Sequence, residues 1–144
     1  MSDPARKRNI AESLARASQA LGVAAAALDF GSPADAISRA YYAALHVLRA
    51  LLFARGFDPR SHSGAQHLFN QHFVRAGIFP AKRNRFLASL QRQRELADYD
   101  PATVFDAEDV QQQIAEVRDF RAEVSRFLEG EGLLDSPAGD GDGT

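Results

Sequence analysis

Two short segments carry the residues able to do chemistry. The first, SRAYYAALHVLRALLFARG (38–56), sets Arg39, Tyr42 and His46 in a stretch otherwise apolar enough to be core. The second, QRQRELADYD (91–100), places Arg94 four residues before Asp98, with Tyr99 next to it. An arginine presents a planar fork of donors that suits phosphate or carboxylate, so either segment could hold a phosphate-bearing ligand. Each also has a plainer reading. Arg94 and Asp98 are within reach of a helical ion pair that fixes register, and Arg39, Tyr42 and His46 could simply touch a second neighbouring helix.

A helical projection at about 100° per residue separates two faces of the tyrosine segment. Ile37, Tyr41, Ala44, Leu48, Leu51 and Leu52 form the expected core stripe. Asp35, Arg39, Tyr42, His46 and Phe53 lie opposite, with Arg49 at the margin. Aromatics with arginine and few lysines are the composition of interface centres. Three readings of the face Arg39, Tyr42, His46, Phe53 therefore stay open: more core, a homodimer or partner surface, or a ligand site. Alanines 40, 43, 44 and 50 allow another helix to approach closely in any case.

Charge is distributed unevenly. The formal net charge is −2, yet residues 59–94 hold seven basic side chains and no acid, and residues 95–123 hold nine acids against Arg118 and Arg121. Arg83, Arg85, Arg92 and Arg94 are the phosphate-binding candidates of the basic stretch; a solvated helix face is the alternative. His62, His67 and His72 recur every five residues, a rotation of about 140° per step, and no acid lies between them. That spacing does not bring two imidazoles onto one zinc, so no metal site is expected. There is no P-loop, GxGxxG or GxSxG, and no cofactor is expected.

The elements that must position these residues are all helical. Ile10, Leu14, Ala17, Leu21, Ala24 and Leu28 mark a first helix that Gly31 ends. Ser32 reads as an N-cap with Pro33 at the first helical position, and this helix runs to about Arg55 before Gly56. Residues 57–62 read as a loop, and Ser63 with Gln66 as a capping box for a short helix to about Ala76. Pro80 opens the next helix, with Phe86, Leu87, Leu90 and Ala97 on one side, and Pro101 requires it to stop. Asp106 caps the last helix, which carries Val110, Ile114, Val117, Phe120 or Arg121, Val124 and Phe127 inward. The expected fold is all-α, an antiparallel four- to five-helix bundle over residues 1–129, with a disordered acidic, Gly-rich tail over 130–144. With no cysteine, no apolar run near 18 residues and no secretory pattern at the start, a cytoplasmic protein with no membrane span is expected.

The blocks AISRAYYAALHVLRALLFARG, RSHSG followed by LF and HFVRAG, and RQRELADYD before a final amphipathic helix resemble the HEPN-domain family. The nearest likeness is to its prokaryotic subgroup with an SRAYYA block and a late RxxADY block. The resemblance covers roughly residues 8 to 128. It implies a helical bundle that often dimerises and is often encoded beside a minimal nucleotidyltransferase, in toxin–antitoxin or defence pairs. Active members are metal-independent RNases with an R-x4-6-H motif, often followed by a tyrosine that the partner can adenylylate. Here Arg94 is followed by Asp98 and Tyr99 where a histidine and a tyrosine would be expected. Arg39 and His46 meet the R-x4-6-H spacing, but on a different helix.

The catalytic candidates implied are thus Arg39, His46, Arg94 and Asp98, with Tyr99 the candidate for modification. The function expected is that of a HEPN protein binding RNA or nucleotide and a partner transferase. The competing expectation is a metal-independent RNase toxin, which needs only a base, an acid and a cation for the phosphorane charge. The missing histidine favours the first.

Overall fold

The computed structural model describes residues 3–136. Five α-helices follow one another: α1 (Asp3–Phe30), α2 (Pro33–Phe53), α3 (His62–Phe69), α4 (Ala81–Tyr99) and α5 (Ala107–Gly130); a π-helical turn, Asn70–Val74, continues α3. Among the described residues there is no strand.

Helix α2 is the central element and packs against α1, α3, α4 and α5. Twelve of its 21 residues are buried, which is why its sequence is so apolar. Ala36, Ala40, Ala43, Ala44 and Ala50 are almost wholly enclosed, so neighbouring backbones approach closely. Its larger core side chains, Ile37, Val47, Leu48, Leu51 and Leu52, are also enclosed; burying each contributes roughly 1.5–3 kcal/mol. Helix α1 meets α2 through Ile10, Leu14, Ala17, Leu21 and Ala24, the stripe its periodicity predicts.

Helix ends follow local chemistry, with one shift from the sequence pattern. Pro33 stands in the first turn of α2, and the Ser32 hydroxyl donates to Asp35 rather than accepting from the backbone. Helix α3 begins two residues before the Ser63 capping box would place it. Ser61 is extended and its Oγ accepts the Gly64 N–H at 3.0 Å, so His62 and Ser63 lie in the first turn. A Cβ on Gly64 would come within 2.9 Å of that oxygen, so glycine leaves room for the cap. Asp106 caps α5 as expected, accepting from the Glu108 N–H.

At the end of the bundle where α2 stops, Phe69, Phe73, Phe79, Phe120 and Phe127 form one aromatic cluster, with neighbouring ring centroids 5.8–6.2 Å apart. Arg55 lies 5.4 Å over both Phe73 and Phe127 and pairs with Glu131 at 2.7 Å. Phe120 takes the α5 core position, whereas Arg121 reaches the Leu14 carbonyl at 3.1 and 3.3 Å. Leu133 and Leu134, in the stretch expected to be tail, pack partly buried against the core. The rest of that stretch, 137–144, lies outside the described residues.

Candidate functional site

Antiparallel packing of α2 and α4, with α3 alongside, gathers five polar side chains. Ser38 and Tyr41 are one turn apart on α2, and Arg94 and Asp98 one turn apart on α4. Because the helices run in opposite directions, Ser38 meets Asp98 and Tyr41 meets Arg94. The Ser38 hydroxyl donates to Asp98 Oδ1 at 2.7 Å. Arg94 Nη1 donates to Asp98 Oδ2 at 2.9 Å, and the Arg94 guanidinium lies 5.2 Å from the centre of the Tyr41 ring. Tyr41 Oη and His62 Nδ1, brought in by the first turn of α3, are 2.6 Å apart.

The electrostatics set each group's state. Asp98 is held below the usual carboxylate range by the hydrogen bond from Ser38 and, against the opposing effect of burial, by Arg94. A carboxylate held that low is a weak base at neutral pH. In this arrangement its hydrogen bond orients Arg94. Burial works against the Arg94 charge, but the Asp98 hydrogen bond and charge prevail and its pKa rises. Burial pushes the Tyr41 phenol up to about 12, in spite of Arg94. Burial, followed by the Arg94 and Arg49 charges, lowers the His62 pKa. A protonated phenol beside a neutral imidazole donates to Nδ1, which leaves the ring proton on Nε2.

The guanidinium of Arg94 is only partly satisfied. Its side chain is 13% exposed, it has one carboxylate partner, and its Nε is buried with no hydrogen-bond partner. A charged donor set with spare bonding capacity can take a phosphate oxygen where it meets solvent.

The other sequence candidates fall in different places. Arg39, Tyr42 and His46 do share a face, and with Arg16, Gln19, Ala20 and Val23 of α1 they line an open groove of about 740 Å³. Phe53 lies along that face too, lining a smaller pocket with His46, Arg49 and Arg16. The expectation of an open surface is corrected there: Phe53 is only 8% exposed, because α1 covers this end of α2. Burial lowers the His46 pKa, with further contributions from Arg16 and Arg49. Arg83 is corrected as well. It is buried and shares its guanidinium between Glu123 and Glu116, so it knits α4 to α5 and is not free for phosphate. Arg85 and Arg92 are exposed, opposite Arg83 and Arg94 on the helix. Tyr99 is 77% exposed beside Asp98. Among the described residues no group of three or more His, Asp or Glu side chains gathers where it could hold a metal ion, and no helix is long and apolar enough to cross a membrane.

Sequence reasoning missed Ser38, Tyr41 and His62 as members of this cluster. Tyr41 lies on the core stripe and is indeed buried, yet its hydroxyl serves the site. His62 reads as a loop residue until Ser61 is recognised as the cap. The signal available was the block RSHSG, where a serine three residues before a glycine can cap a turn that presents the intervening histidine.

Comparison with known proteins agrees with this architecture. The chain is 36% identical over 114 residues to a UPF0332 protein of Gloeobacter violaceus, covering 78% of this chain and 90% of that protein. It is 39% identical over 69 residues to a UPF0332 protein of Pyrococcus horikoshii, a match spanning 48% of this chain and about half, 49%, of the relative. A Methanocaldococcus jannaschii protein named "Putative toxin" is 35% identical over 78 residues, 53% of this chain and 58% of that one. The model of the HEPN domain matches residues 10–127, nearly the whole helical bundle. The chain therefore belongs to the HEPN domain family.

Proposed function

We propose that this protein is the HEPN member of a toxin pair, holding an RNA or nucleotide phosphate at Arg94 and docking a minimal nucleotidyltransferase. The observation that carries the reading is the state of Arg94: charged, oriented by Asp98 and Tyr41, and short of hydrogen-bond partners. A phosphate oxygen can accept from Nη2, which makes no hydrogen bond with any described residue and, unlike Nε, is not sealed from solvent. The name of the Methanocaldococcus relative supports the toxin assignment. Partner docking is supported by the bundle end where α1 and α4 stop, which exposes Phe30 (89%), Tyr99 (77%) and Val104 (92%). A phenol that open is accessible to a transferase.

A second reading, metal-independent RNA cleavage, is favoured by the Tyr41–His62 hydrogen bond. It puts an imidazole in the cluster that α4 itself lacks. In such a cleavage the 2′-oxygen loses its proton to a base and bonds to phosphorus, and the bond to the 5′-oxygen breaks. That oxygen then takes a proton from an acid. Arg94 would stabilise the charge on the phosphorane. His62 would act as base through Nε2 in the other tautomer, whose Nδ1–H donates to the Tyr41 hydroxyl oxygen.

Total tRNA incubated with the purified protein in EDTA tests both readings. Binding is expected for wild type and lost in Arg94→Ala. Cleavage that disappears in His62→Gln while binding persists would establish the second reading. Wild type that neither retains nor cuts RNA overturns the RNA assignment.

A further inference from the structure

The groove between α1 and α2 is not used by the Arg94 cluster, yet it adjoins it. Tyr42 lines the groove, is 36% exposed, and meets Tyr41 edge-on with ring centroids 5.5 Å apart. Tyr41 in turn carries Arg94 at 5.2 Å. Three residues before Tyr42, one helical turn away, Arg39 is exposed and makes no ion pair or hydrogen bond with any described residue. Gln19 and Arg16 of α1 face it across the groove, Arg16 being paired only with Glu12, at the surface. A free fork-shaped cation, an aromatic ring and an amide thus line an open groove, and its Tyr42 touches the Tyr41 ring that Arg94 overlies.

These are the parts of a single-strand nucleic-acid track: a ring on which a base can stack and cations that follow the backbone. The channel volume, about 740 Å³, is in the range of sites that take a nucleotide-sized group. Resting on the reading of Arg94 as a phosphate site, we propose that the α1–α2 groove is a second subsite for the same single-stranded RNA. In it Tyr42 stacks on a base adjoining the Arg94 phosphate, and Arg39 holds the next phosphate. The strand crosses from α4 to α1 over the middle of α2. The groove makes the protein a reader of single strands rather than of lone nucleotides or duplexes, because a paired base has no free face to offer Tyr42.

The experiment measures binding of 2′-O-methyl oligoribonucleotides, which have no 2′-OH to attack, at lengths of one, three and six nucleotides. Wild type should gain about tenfold in affinity from the mononucleotide to the trinucleotide, the scale of one stacked base. Tyr42→Ala should lose that gain. Arg39→Ala should reduce it and lower the salt dependence by about 0.7 in log–log slope, one phosphate contact on a single strand. Arg94→Ala should weaken every length. A length gain that survives Tyr42→Ala and Arg39→Ala, while Arg94→Ala still abolishes binding, overturns the groove subsite and leaves the Arg94 assignment intact. If wild type binds no length at all, both fall. Should the two groove variants change only the solution mass of the protein, the groove is a contact between copies of this chain and the inference is wrong. Arg39 is exposed, so Arg39→Glu provides a charge-reversed variant independent of any folding defect in Tyr42→Ala; binding equal to wild type there also overturns the subsite.

Discussion

Arg83 and Arg94 lie eleven residues apart on α4, about three turns, and so point to the same side of one helix. Both are shielded from solvent, with side chains 7% and 13% exposed. Their surroundings differ in kind. Arg83 is held by Glu123 through Nε and Nη2 and by Glu116 through Nη1, with both carboxylates on α5. Arg94 has one carboxylate, from its own helix, an aromatic ring under it and a buried Nε with nothing to donate to. A saturated arginine fastens two helices. An unsaturated one, placed by its neighbours, keeps a donor to spare, which is the basis of the proposed phosphate site.

The largest effect expected from this contrast is on stability at the Arg83 end. Arg83→Met removes a buried cation and its hydrogen bonds to two partly exposed carboxylates, Glu123 and Glu116, and should cost about 2 kcal/mol. Urea unfolding measures it, and RNA binding per folded molecule should not change. Equal loss of binding would mean that both arginines serve the ligand.

At the other end the balance should reverse. Arg94→Lys keeps the charge but loses the planar fork, and should weaken RNA binding about tenfold while stability changes by less than about 1 kcal/mol. An unfolding midpoint lowered as far as in Arg83→Met would remove the distinction. A smaller effect belongs to Tyr41→Phe, which takes the hydroxyl from His62 and should cost about 1 kcal/mol. Its thermal unfolding can be compared directly with that of His62→Gln.

The smallest effect is in the pH dependence. His62 has its pKa lowered in the folded protein by burial and then by Arg94 and Arg49, so the unfolded chain binds the proton more readily. Its contribution to stability is complete above about pH 6.5 and is lost as pH falls below that value toward the folded-state pKa. His46 behaves in the same sense. His62→Gln should therefore flatten part of the decline in stability below pH 6.5; a profile identical to wild type would assign the whole decline to His46. The lowered Asp98 acts in a separate window, its contribution present above about pH 3.8 and lost as pH falls below it.

Much of the fold was legible along the chain. Helix spacing, Gly31, Gly56 and Gly77 as stops, the Asp106 cap and the inward stripes of α1, α2 and α5 all follow from residue type and period. Arg94 with Asp98 was legible because an i, i+4 pair is local. The rest was not, because its partners are distant in sequence. Arg83 and Arg94 look alike in QRQRELADYD and AKRNRFLASL, and only α5 supplies the carboxylates that distinguish them. Phe53 projects with Arg39 and His46 on a wheel, but α1 covers its end of the helix and leaves the other end open.

The order of residues alone was enough to specify an all-helical bundle with its faces assigned and its family recognisable. Periodicity and capping act over three to four residues, a range that a linear reading spans. Which charged groups are satisfied and which are left wanting was decided by tertiary structure. That balance depends on donors and acceptors contributed by separate helices: Tyr41 to His62 across 21 residues, Ser38 to Asp98 across 60, and Arg83 to Glu123 across 40. A hydrogen bond of that kind exists only once the chain has folded, and so does the unmet valence of Arg94.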